Sequence, residues 1–162
     1  MTYAVGDELP PFIIDHVDPE AMKQWAIFLA DPNQIHLDVE FVKAKGLGDR
    51  VINQGPINIA YMMNCLLSAF PGGQIANMTS RFLDNVYGGE RIVARATVDA
   101  VEDGKVTCSV RLESEDRGMV NSATATVVLP PSQSSAASAD QVGNQAPNSP
   151  LSWLTWLLYP KT

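Results

Sequence analysis

The sequence predicts an α+β domain in which an antiparallel sheet wraps around one long, central apolar helix. Two observations carry that prediction. Residues 57–70 read Ile-Asn-Ile-Ala-Tyr-Met-Met-Asn-Cys-Leu-Leu-Ser-Ala-Phe, apolar on nearly every side. A helix of that kind should be enclosed, and its length of about 21 Å suits a single curved sheet. Beyond it lie four segments of strand character, 75–82, 92–101, 106–113 and 119–129. They alternate, as Ile92, Ala94, Ala96 and Val98 do against Val93, Arg95, Thr97 and Asp99. Turn signals at Gly88-Gly89, Asp103-Gly104 and Arg117-Gly118 divide them into a meander.

The elements follow in order. A first helix is expected over 17–30, with Asp18 as N-cap, Pro19 at the first helical position and Glu20 behind it. Met22, Trp25, Ala26 and Leu29 then recur at helical spacing and give it one apolar face. Asp31-Pro32 ends it, because a residue before proline is pushed out of the α region. Pro71-Gly72-Gly73 stops the second helix, and the sheet follows.

Composition bounds the function. At 162 residues, 46% apolar and 18% charged, the chain is long enough for one domain with a proper core. A formal charge of -7 argues against a nucleic-acid partner, whose phosphates need clustered Lys and Arg. Cys65 and Cys108 sit among apolar neighbours without metal-ligand spacing and read as reduced, buried thiols. The first ten residues carry no basic segment followed by an apolar one, so the expectation is no signal peptide and a cytoplasmic address.

The domain is expected to span 1–130. Residues 131–150 are small, polar and aperiodic and read as a flexible linker. Residues 151–162 hold two of the three tryptophans in an apolar segment too short to span a bilayer. Docking on the protein's own oligomer is the expected role for that segment, ahead of a membrane surface, since no basic cluster accompanies it.

Between the helices lies the candidate chemistry. Asp31 and His36 share a short irregular segment, and Gly55 opens the apolar helix nineteen residues later. An acid, an imidazole and a backbone amide at a helix N-terminus are what acid–base chemistry on a carbonyl compound needs. Asp38 reads as a solvated carboxylate or turn cap, and His16 as structural. The glycine pairs at 72–73 and 88–89 do not lead from a strand into a helix, so they are turns and not nucleotide loops. Arg81, Arg91 and Arg95 are expected on exposed strand faces, and Met62, Met63 and Cys65 in the core.

The run Phe28-Leu29-Ala30-Asp31-Pro32-Asn33-Gln34-Ile35-His36-Leu37-Asp38, followed by Val51-Ile52-Asn53-Gln54-Gly55, resembles the MaoC-like dehydratases and R-specific enoyl-CoA hydratases of the hotdog fold. The likeness covers most of 5–129, including the Gly88-Gly89-Glu90 turn. It implies a hotdog domain that adds water to a trans-2-enoyl thioester, reversibly, without metal or other cofactor. The partner it implies is an acyl-CoA or acyl-carrier thioester, and the assembly a homodimer or higher oligomer with helices side by side on a continuous sheet. In that reading Asp31 and His36 hold the water, Gly55 offers its N–H to the thioester oxygen, and Asn33 and Gln54 contact the substrate or position the loop. The chain departs from the family where proline stands at 32 instead of after Asn33, where Gln54 replaces a histidine, and where Val42 replaces a small residue. Two alternatives follow: thioester hydrolysis, and a non-catalytic subunit of a hetero-oligomeric hydratase.

Overall fold

The structure, a computed structural model, describes residues 3–131. The expected Trp-rich segment, and all of the expected linker but Pro131, lie outside the described residues. The elements are β1 (Phe12–Ile14), α1 (Pro19–Phe28), a 3-10 turn (Gln34–His36), α2 (Val39–Ala44), α3 (Gly55–Ala69), β2 (Gln74–Phe82), β3 (Ile92–Glu102), β4 (Lys105–Ser114) and β5 (Gly118–Val128). One five-stranded sheet has the order β1-β3-β4-β5-β2, and every pairing is antiparallel.

Local chemistry explains most boundaries. Asp18 caps α1 by accepting from the Glu20 N–H at 2.9 Å, with Pro19 next, as the sequence implies. The hairpin between β3 and β4 turns on Asp103 and Gly104, both at positive φ (49° and 74°), the requirement of a two-residue turn that matches strand twist. α3 starts at Gly55, as the sequence implies, with the extended Gln54 leading into Gly55 and Pro56.

The sheet's inner face is built from alternate residues: Ile92, Ala94, Ala96 and Val98 on β3, and Val106, Cys108, Val110 and Leu112 on β4, all buried. Met62, Cys65, Leu66 and Phe70 press onto them from the helix side. Burial of each large side chain is worth roughly 1.5–3 kcal/mol, so this contact is the main support of the helix. The expectation that α3 is enclosed on all sides is corrected. Met63 and Leu67 are exposed, so the sheet wraps one face and leaves the opposite apolar face uncovered within the described chain. Met63 is therefore not core. Three short elements, β1, the 3-10 turn and α2, were not expected; the 3-10 turn carries His36, and α2 packs against it.

Candidate active site

The segment that carries Asp31 and His36 is held by backbone bonds at every step. After α1, Ala30 takes a left-handed conformation (φ 51°), and the Asp31 N–H donates to Ala26 O at 2.9 Å. A non-glycine residue pays for that conformation with strain, here directly before the candidate acid. Pro32 prevents the chain from resuming a helix. Asn33 then caps the 3-10 turn, its Oδ1 accepting from the Ile35 N–H at 3.3 Å, and its own N–H points to Asp31 Oδ1 at 3.4 Å. The expected irregular segment is thus a tight turn. Asn33 is exposed and organises the loop.

His36 is the anchored partner. Its side chain is 8% exposed, and Nδ1 lies 2.6 Å from the carbonyl oxygen of Ile52. A carbonyl can only accept, so Nδ1 carries the hydrogen and, in the neutral ring, Nε2 is left as an acceptor. Nε2 stands 3.4 Å from Asp31 Oδ2, on a side chain that is 40% exposed. Two acceptors side by side cannot hydrogen-bond each other, but a single O–H-bearing molecule can donate to both. The Ile52 carbonyl is itself fixed, because the Ile52 N–H donates to Ile35 O at 2.9 Å and the Asn53 N–H to Val86 O at 2.7 Å.

Three residues further on, Gly55 begins α3. Among the described residues its N–H has no hydrogen-bond partner, Pro56 has no N–H, and Ile57 and Asn58 both donate back to Gln54 O. The first turn therefore presents a single free donor, at the positive end of the helix dipole. A Cβ on Gly55 would lie 3.2 Å from Cε1 and Cζ of Phe82, so the Phe82 ring packs directly against this position. Gln54, expected to contact substrate, turns inward instead. It is fully buried, and its Nε2 donates to Met22 O at 2.8 Å, tying α3 to α1; only Oε1 is without a partner. Asn53 is likewise buried and donates to Asn58 Oδ1 at 2.8 Å. Burial pushes the Tyr61 phenol up to about 12, and a hydrogen bond with Asn53 acts against that.

Two clefts flank the pair. One of about 250 Å³ is lined by His36, Leu37, Lys23, Arg50, Val51 and Gly88. The other, about 540 Å³, is mostly apolar and is lined by Lys23, Ala26, Ile27, Ala30, Pro32 and Leu37. Gly55 lines neither of these two clefts. Among the described residues no group of three His, Cys, Asp or Glu side chains is placed to hold a metal ion.

Other residues fall as follows. Asp38 caps α2 by accepting from the Glu40 and Phe41 N–H groups at 2.8 and 3.2 Å. His16 is exposed. Arg91 pairs with Asp15 and Glu115, and Arg95 with Glu113, while Arg81 is exposed on β2. Both cysteines are free and buried.

Two supporting groups were not assigned a role from the sequence. The Ile52 carbonyl sets the His36 tautomer, yet a backbone oxygen leaves no side-chain signature. Glu90 is a buried carboxylate that accepts from Arg117 Nε (2.9 Å) and Nη2 (3.0 Å), Arg50 Nη2 (3.2 Å) and the Tyr87 N–H (3.2 Å). Arg117 also binds Asp84, and its charge is held more firmly by the Glu90 hydrogen bond, which raises its pKa. A lone acid between a glycine turn and an apolar strand was the available signal.

Sheet and helix together form a hotdog-fold domain. The MaoC like domain model matches residues 5–118, and the chain belongs to that family. Solved structures agree on the fold. The (R)-hydratase from A. caviae involved in PHA biosynthesis has a TM-score of 0.73 at 20% identity, covering 80% of this chain and 98% of that one. R-hydratase PhaJ1 from Pseudomonas aeruginosa has a TM-score of 0.70 at 17% identity, covering 91% and 92%. A chain of the ChsH1-ChsH2 complex from Mycobacterium tuberculosis has a TM-score of 0.72 at 20% identity, covering 80% and 100%. No curated protein sequence matches. Among the described residues no helix is long and apolar enough to cross a membrane.

Proposed function

We propose that the protein hydrates a trans-2-enoyl thioester, an enoyl-CoA or its acyl-carrier equivalent, to the (3R)-3-hydroxyacyl thioester, and catalyses the reverse dehydration. The observation that carries this reading is the pair of acceptors, Asp31 Oδ2 and His36 Nε2, 3.4 Å apart with the imidazole locked by Ile52 O. A water molecule donates to both. Asp31 takes one proton as the water oxygen bonds to C3, and the C2–C3 π pair moves toward the thioester carbonyl. The charge that gathers on that oxygen meets the free Gly55 N–H at the helix N-terminus, a donor that needs no reorganisation. The proton then passes through the acid–imidazole pair to C2, and the carboxylate is restored. Water is consumed whole, OH at C3 and H at C2.

The exposed apolar face of α3, with Met63 and Leu67, and the position of β2 at the sheet's edge support a dimer in which helices and sheets meet across subunits. The test is a panel of trans-2-enoyl-CoAs followed by loss of conjugated-thioester absorbance, with product chirality determined. Turnover to the (3R) alcohol is expected. Failure of every enoyl-CoA, with release of free CoA from saturated acyl-CoAs, would replace hydration by thioester hydrolysis.

A further inference from the structure

The inner face of the sheet beside Gly55 holds polar groups that the proposed reaction does not use. Asn121 on β5 is fully buried, and among the described residues neither its Oδ1 nor its Nδ2 has a hydrogen-bond partner. The Oγ of Ser80 on β2 is buried and unpartnered in the same way. Both belong to one patch. Asn121 is the direct cross-strand partner of Phe82, and Ser80 that of Ala123, two residues along β5 from Asn121. Direct partners project to one face of a sheet, and diagonal neighbours lie within reach of each other. That face is the inner one, since Asn121 also pairs with the buried Leu112, and the Phe82 ring touches Gly55. Phe82 thus stands between the free amide of α3 and the Asn121 carboxamide. It is 52% exposed and so is not locked into the core.

An unpaired carboxamide in an apolar face is unfavourable, and a leucine of similar shape would avoid the penalty. The patch is therefore suited to a ligand group that completes it. Asn121 offers a donor and an acceptor, and Ser80 one of each. Their inward-facing neighbours Met78, Val110, Leu112 and Ala123 carry no charge, so nothing there would balance an ionised group. We propose that Asn121 and Ser80 form a subsite for a neutral oxygen function, a hydroxyl or a ketone, carried on the acyl chain. The preferred substrate is then an oxygenated acyl thioester. This rests on the hydratase reading for where the thioester sits, with Gly55 at its carbonyl.

The test compares trans-2-enoyl-CoAs of increasing length, each with and without a terminal hydroxyl, on the full chain. Wild type should favour the hydroxylated member at one length by at least about tenfold in kcat/KM. Asn121→Leu and, separately, Ser80→Ala should bring that ratio to within about twofold of unity and leave kcat on the plain chain nearly unchanged. Asn121→Leu should also raise the melting temperature, and Ser80→Ala keeps the test open if the leucine variant does not fold. A wild type that favours the plain chain at every length, or variants that keep the hydroxyl preference, would overturn the subsite. Non-reactive acyl-CoA thioethers of the same chains, titrated calorimetrically, separate the two claims. A hydroxyl preference in binding without turnover of any enoyl-CoA would overturn the hydratase reading and leave the subsite standing.

Discussion

Asp31 and Glu90 are both carboxylates set in turns, and each has a basic side chain within reach, yet their surroundings differ in kind. Glu90 is 2% exposed and takes hydrogen bonds from two arginines and a backbone amide. Asp31 is 40% exposed, with a histidine nitrogen at 3.4 Å and one long backbone contact. The first has its acceptor capacity filled and holds the strand entry, the Tyr87 loop and Arg117 together. The second has capacity to spare and faces another unfilled acceptor. A saturated carboxylate supports a fold, and an unsaturated one beside a fixed imidazole is available for chemistry.

The comparison breaks most sharply at Asp31. Asp31→Asn keeps the shape and removes the proposed base, so hydration of crotonyl-CoA should fall about 10²–10⁴-fold, while stability by chemical denaturation changes by less than about 0.5 kcal/mol. Glu90→Ala should do the reverse. It strands two guanidinium groups and an N–H, and the loss read from urea unfolding should be on the order of 3 kcal/mol, moderated because both arginines partly reach solvent. If Glu90→Ala left stability intact, the contrast would collapse.

Smaller effects sharpen the picture of the interior. The Tyr61 phenol stays protonated in the folded state to about 12, whereas an unfolded tyrosine ionises near 10. Between those values the folded state binds more protons than the unfolded one, so stability should decline as pH rises from about 10 to 12. Tyr61→Phe should flatten that decline in pH-dependent melting curves. Burial raises both thiols, Cys108 to about 11 with Asp99 adding to it, and the Cys65 Sγ also contacts Pro10 O at 3.6 Å. A disulfide reagent should therefore label neither cysteine quickly in native protein and both in denaturant.

Much of this was legible in the residues. The four long strands announce themselves by alternation, α1 by Asp18-Pro19, and α3 by its apolar run. The shorter elements were not. β1 has three residues, and α2 has six, with Asp38 readable as either a cap or a loop acid. Their formation depends on pairing with β3 and on packing beneath the Asp31 turn, which no local pattern encodes. Asp31, His36 and Gly55 stood out through spacing, and the structure places the first two together and gives the third a free amide. Gln54 and Asn33 were legible as polar residues near the site, but the hydrogen bonds that turn one inward and make the other a cap depend on Met22 and Ile35. Met63 misled because a sequence does not say which face of an apolar helix its own sheet will cover.

The proposed chemistry turns on the proton of one imidazole. With His16 the only other histidine, nitrogen-15 NMR of histidine-labelled protein, assigned with a His16→Gln variant, reads the His36 tautomer directly. At a pH where the ring is neutral, a protonated Nδ1 and an unprotonated Nε2 are expected, leaving Nε2 to share a water with Asp31. A hydrogen on Nε2 would contradict it, because the ring would then donate to the carboxylate and hold no water for the double bond.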